Sequence, residues 1–257
     1  VRTAVFLGCL IVAVGLSGSR ISIKRNDLYR CLILGVLLCA EMYLLLASVL
    51  FIPAALAILV FYTYPVMIAL WVWRTGRHQL SYLGLGVMAL AFLGLIIALT
   101  GSDTLWVGWE GRNGVMLAFC SAVCLAGILL LSERVLERQS ATVMMFYMLI
   151  SATAVVGFVS LFFAELHWPV SFPGWLALSG SATLYVVATL LLFKAVDWVG
   201  SLQTAIIDNT SPVWAMILGI LVLGQWLTIQ QVIGASVTVV AVMLVQWIAR
   251  PKTQPTS

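Results

Sequence analysis

Residues 201–223 read SLQTAIIDNTSPVWAMILGILVL, an apolar stretch without Lys or Arg that carries a polar group near its middle. A helix needs about 20 such residues to cross the hydrocarbon core of a membrane. Pro212 has no N–H, so the carbonyl of Asp208, four residues earlier, has no intrahelical partner. The stretch therefore predicts a membrane-spanning helix with an interruption that must face protein or water.

The rest of the chain has the same character, because 63% of its residues are hydrophobic and 9% are charged. Soluble proteins carry about 25% charged residues. Nine apolar runs are bounded by charge, Gly or Pro and joined by short connections. They are 3–19, 31–51, 53–73, 80–100, 114–132, 142–163, 173–193, 201–223 and 228–248. The sequence predicts an all-α integral membrane protein with nine transmembrane helices and no separate soluble domain.

The distribution of Lys and Arg predicts the orientation, since these residues are retained on the cytoplasmic side of short loops. If the first connection is cytoplasmic, only Arg2 and Arg112 among the 13 basic residues lie outside. We therefore expect a multi-pass protein of the plasma (inner) membrane with a cytoplasmic C-terminal tail. The four charged residues Glu133, Arg134, Glu137 and Arg138 are interpreted as a solvated loop cluster.

An internal repeat relates the two halves of the chain. Thr63-Tyr64-Pro65-Val66 matches Thr210-Ser211-Pro212-Val213 at a separation of 147 residues. On this register the run 114–132 has no partner, and its counterpart would precede Val1. The repeat predicts a ten-helix bundle of two five-helix halves that are inverted in the membrane. Residues 1–103 form the first half, without its first helix, and residues 104–257 form the second half with a short tail.

Two stretches resemble the EamA-like members of the drug/metabolite transporter superfamily, which export amino acids and other metabolites. Residues 190–228 read LLLFKAVDWVGSLQTAIIDNTSPVWAMILGILVLGQWLT, and residues 44–78, LLLASVLFIPAALAILVFYTYPVMIALWVWRTGRH, form a weaker first copy. The family commonly has Gly-Glu where this chain has Gly224-Gln225 and Gly76-Arg77. The resemblance implies ten helices in two inverted halves around a central cavity.

Two carboxylates are predicted at membrane depth. Glu41 lies about 15 Å into the run 31–51, and Asp208 about 10 Å into the run 201–223, at 1.5 Å per residue. Such residues usually line an interior path. Each carboxylate could bind a substrate amine, carry a coupling proton, or be protonated in a structural role. The predicted helix breaks are Pro65 and Pro212, although each Pro could simply kink its helix for packing. The predicted substrate or proton path comprises Asp208, Glu41, Asn209, Thr210, Tyr64 and Trp214.

These features favour a secondary transporter of small metabolites, specifically an exporter of amino acids or related compounds, within the lipid bilayer. Multidrug or nucleotide-sugar transport is the alternative within this class. A membrane enzyme would need a nucleophile motif or metal cluster, and neither HExxH nor GxSxG occurs. A non-transporting scaffold would normally carry a large soluble region. No cofactor, metal or nucleic-acid partner is expected, and the partner is a small molecule, in one alternative together with a coupled proton.

Overall fold

The computed structural model describes residues 23–52, 54–75, 111–163 and 171–208, with scattered residues between 86 and 97 and between 210 and 241. Within these ranges no strand occurs. The continuously described segments form seven helices, in the order α1 (Arg25–Ser48), α2 (Ala54–Phe61), α3 (Tyr64–Arg74), α4 (Gly111–Leu136), α5 (Ala141–Phe163), α6 (Phe172–Val199) and α7 (Ser201–Asp208). The all-α membrane fold is confirmed, while the predicted run 3–19 lies outside the described residues.

Four of these helices, α1, α4, α5 and α6, are long and apolar enough to cross a membrane. All four are longer than their predicted runs. Helix α1 begins at Arg25, before residue 31, and α6 continues to Val199, beyond residue 193. Charged residues at a helix end leave the hydrocarbon but keep their backbone hydrogen bonds, so hydropathy marks the membrane core and not the end of the helix.

The predicted run 53–73 consists of two helices, because the chain turns at Tyr62 and Thr63 between α2 and α3. The Thr63 hydroxyl donates to the carbonyl of Val60 over 2.7 Å. Pro65 lies in the first turn of α3, where its missing N–H leaves no helical hydrogen bond unmade. Two short helices therefore stand in place of one continuous helix.

The chain divides into two compact units. The described part of the first comprises residues 23–43, 124–163 and 171–204. Helices α1 and α5 pack closely there, because a Cβ added to Gly35 would overlap the carbonyl of Met148 and lie 2.6 Å from Cβ of Ser151. The Ser151 hydroxyl donates to the carbonyl of Leu32 over 2.8 Å. Small residues and one side-chain hydrogen bond thus hold two membrane helices together.

The described part of the second unit comprises residues 44–123, with gaps, and described residues after 204. Ile52, Ala57 and Ala118 form a buried apolar cluster in this unit. Gly114 allows α4 to approach the turn before α2, since an added Cβ would lie 2.9 Å from the side chain of Ile52. Each unit combines segments from both sides of residue 103, and the halves 1–103 and 104–257 stay a prediction from the sequence repeat.

The interpretation of Glu133 as a solvated loop residue is wrong. Glu133 and Arg134 lie within the last turns of α4, and Glu133 is only half-exposed. Its Oε2 accepts a 2.6 Å hydrogen bond from the hydroxyl of Ser201, which is 1% exposed. Arg134, Glu137 and Arg138 are exposed, as expected for the rest of the cluster.

Candidate functional site

The candidate site lies where two helices are interrupted in the second unit. Helix α7 ends at Asp208, and α3 begins at Tyr64. The Tyr64 hydroxyl donates to Oδ2 of Asp208 over 2.6 Å. The Ser211 hydroxyl donates to Oδ1 of the same carboxylate over 2.8 Å. One carboxylate therefore connects the two interruptions, with one hydroxyl on each of its oxygens.

The local sequence explains why α7 ends here. Pro212 cannot donate to the carbonyl of Asp208, and Thr210 favours a turn because its hydroxyl competes for backbone acceptors. Both the amide and the hydroxyl of Thr210 donate to the carbonyl of Ile207, over 3.0 Å and 2.8 Å. The amide of Trp214 then donates to the carbonyl of Thr210 over 3.2 Å, as in a resumed helix. Asp208 thus lies at the end of α7, directly before the turn that leads to the next helical hydrogen bond.

Three aromatic rings surround the other interruption. The ring centroid of Phe61 lies 5.8 Å from that of Tyr62 and 5.7 Å from that of Tyr64. The two tyrosine rings are 6.1 Å apart. Tyr64 is fully buried, whereas Tyr62 is 9% exposed. The carboxylate is therefore bordered by an aromatic group on the side of α3.

The two hydroxyl donors occupy equivalent positions of the internal repeat. In the match between Thr63–Val66 and Thr210–Val213, Tyr64 corresponds to Ser211. The structure shows both residues donating to Asp208. Ser211 and Tyr62 were absent from the predicted path, although Ser211 directly precedes Pro212 and Tyr62 lies three residues before Pro65. Equivalent positions of the two repeats therefore supply the two donors.

The other predicted residues differ in their surroundings. Glu41 is buried in α1 at 6% exposure and belongs to the first unit. Thr210 is half-buried beside the site, and Trp214 is 61% exposed. Pro65 is buried at the start of α3, whereas Asn209 and Pro212 lie outside the described residues. Among the residues that the structure describes, no cluster of three His, Cys, Asp or Glu side chains could hold a metal.

Comparisons with known proteins agree with this architecture. A solved crystal structure superposes with a TM-score of 0.84 at 19% identity, covering 96% of this chain and 87% of the other. The uncharacterized transporter sll1319 of Synechocystis sp. is 25% identical over 232 residues, which cover 88% of this chain and 68% of that protein. The EamA-like transporter family matches residues 112–247, more than half of the sequence. The chain is a multi-pass membrane transporter and belongs to the EamA-like transporter family.

Proposed function

We propose that this transporter exports amino acids or related small amines across the plasma membrane, and that Asp208 binds the substrate amine. The observation that carries this proposal is the carboxylate at the helix interruption, held by Tyr64 and Ser211. An acidic group at membrane depth is costly unless it serves a path or a partner. No Lys or Arg lies within the run 201–223, so a buried ion pair from the same helix does not account for it.

The hydrogen bonds leave the carboxylate capable of binding a ligand. An ionised carboxylate offers about four acceptor positions, and the two hydroxyls use one on each oxygen. An ammonium group brings three donors and could use the remaining positions. The ring of Tyr64, the donor to Asp208, is flanked by the rings of Phe61 and Tyr62 at centroid distances of 5.7 Å and 6.1 Å. A carboxylate beside aromatic rings suits a small molecule with a protonated amine.

The direct test is transport by the purified protein in proteoliposomes. We would measure counterflow of each radiolabelled L-amino acid, and of the α-keto acid with the same side chain. The expected result is transport of at least one amino acid without transport of its keto-acid partner, since only the former carries an amine. Transport of drugs or nucleotide sugars without any amino acid would contradict the substrate assignment while leaving the family unchanged.

The role of Asp208 is tested by Asp208→Asn, which keeps the side-chain shape but removes the charge. Loss of a charged partner in a desolvated site costs about 2–3 kcal/mol, so KM for the amino acid should rise by about 30–150-fold. Asp197→Asn is the matched control, because Asp197 is an exposed residue of α6. If Asp208→Asn abolishes only accumulation driven by a pH gradient and leaves counterflow intact, the carboxylate carries a proton and does not bind the amine.

A further inference from the structure

We propose that Glu133 is a positioning residue that fixes the start of α7, the helix that ends at Asp208. This inference rests on the proposed function only where it concerns substrate affinity. The contact that carries it lies in the first unit, between the last turns of α4 and the junction of α6 and α7. Oε2 of Glu133 accepts a hydrogen bond of 2.6 Å from the hydroxyl of Ser201, the first residue of α7.

The junction between α6 and α7 consists of a single residue, Gly200. Its backbone has φ 85° and ψ 165°, a conformation that is essentially restricted to glycine. The amide of Gly200 donates to the carbonyl of Val196, and its carbonyl accepts from both the amide and the hydroxyl of Thr204. The junction is therefore a single residue whose amide and carbonyl are both hydrogen-bonded. The direction in which α7 starts then depends on the side-chain contacts at this junction.

Glu133 contacts the junction from the side through one carboxylate oxygen, Oε2, while Oε1 lies close to Gly200. While Oε2 binds Ser201, Oε1 lies 3.5 Å from the position that a Cβ on Gly200 would occupy. The carboxylate also lies at the N-terminal end of α7, where the helix dipole is positive and favours a negative charge. Ser201 is 1% exposed, so water does not readily replace this hydrogen bond.

The consequence for the site follows from the length of α7. Ser201 and Asp208 are the first and last residues of one eight-residue helix. Seven residues at a rise of about 1.5 Å each separate the two ends by about 10 Å, roughly two turns. A helix this short has little stability of its own, so its geometry depends on its anchors. Glu133 thus sets the starting point of the helix whose final residue presents the carboxylate.

The first test needs no substrate. Hydrogen exchange of the amides at 205–208, which donate within α7, is measured by mass spectrometry for the full-length protein in detergent. Glu133→Ala should accelerate this exchange by about tenfold, because a charge-assisted hydrogen bond is lost. Glu133→Gln retains an acceptor for Ser201 and should stay near wild type. Glu137→Ala, which removes an exposed carboxylate one turn later, is the matched control.

The hydrogen bond can also be removed from its other partner. Ser201→Ala should reproduce the acceleration, and the double variant should exchange no faster than either single variant, because both substitutions delete the same contact. If Glu133→Ala fails to fold, Ser201→Ala decides the question. Exchange in Ser201→Ala or Glu133→Ala that equals that of Glu137→Ala would overturn the inference.

The KM of transport is a readout that a general loss of folded protein would not alter. For an amino acid carried by wild type, Glu133→Ala should raise KM by about tenfold, whereas misfolding would lower only the maximal rate. In the Asp208→Asn background the same substitution should leave KM unchanged, since Glu133 acts through Asp208. An equal rise in KM in both backgrounds would show that Glu133 does not act through Asp208. If wild type carries no amino acid, the proposed function fails, and the exchange measurement still decides the role of Glu133.

Discussion

Tyr64→Phe is the most incisive perturbation of the candidate site, because it deletes one oxygen atom and keeps the ring. The lost hydroxyl donates to Asp208 over 2.6 Å, and the ring packing against Phe61 and Tyr62 stays in place. Hydrogen bonds to charged groups contribute about 1.5–3 kcal/mol in soluble proteins. Side-chain hydrogen bonds between membrane helices average about 0.6 kcal/mol and reach about 1.7 kcal/mol.

The hydrogen bond from Tyr64 to Asp208 should contribute a free energy at the upper end of the range for membrane helices, because its donor is fully buried and its acceptor is a carboxylate. We therefore expect the free energy of unfolding to fall by about 1.5 kcal/mol. The assay is reversible unfolding in mixed micelles, with Tyr43→Phe as the matched control, since Tyr43 is 72% exposed.

A double-mutant cycle identifies the partner. In the Asp208→Asn background, Tyr64→Phe should cost clearly less than in wild type, because a neutral amide is a weaker acceptor than a carboxylate. An equal cost in both backgrounds, or no cost in wild type, would refute the reasoning that this hydrogen bond joins the two helix interruptions.

Three further predictions concern packing and topology. Gly35→Ala should lower the free energy of unfolding by about 1–3 kcal/mol because the added methyl overlaps α5, whereas Gly157→Ala, with nothing within 4 Å, should be neutral or slightly stabilising in the same assay. Gly200→Ala should cost about 1–3 kcal/mol through its backbone conformation, visible as a lower melting temperature in detergent. Cysteines introduced at Lys24 and Asp103 should be labelled from opposite sides of the membrane, and labelling of both from one side would disprove the charge-based orientation.

The membrane fold was predictable because hydrophobicity over about 20 residues is a direct physical requirement of the hydrocarbon core. The runs around α1, α4, α5 and α6 satisfied it without any knowledge of their neighbours. Helix ends were less predictable, as shown by α1, which starts at Arg25, and α6, which continues to Val199. Backbone hydrogen bonding continues past the point where hydropathy falls, so composition does not encode the final turns.

The sequence by itself determined that Pro65 and Pro212 donate no backbone hydrogen bond, since a missing N–H is a covalent property of proline. It also singled out Asp208 by its depth. Only the tertiary structure decided which groups meet the carboxylate, because Tyr64 lies 144 residues away along the chain and no local pattern fixes such a pairing. Glu133 was assigned to solvent for the same reason. Arg134, Glu137 and Arg138 near it in sequence are charged and exposed. The hydroxyl that Glu133 binds belongs to a helix that starts 68 residues later.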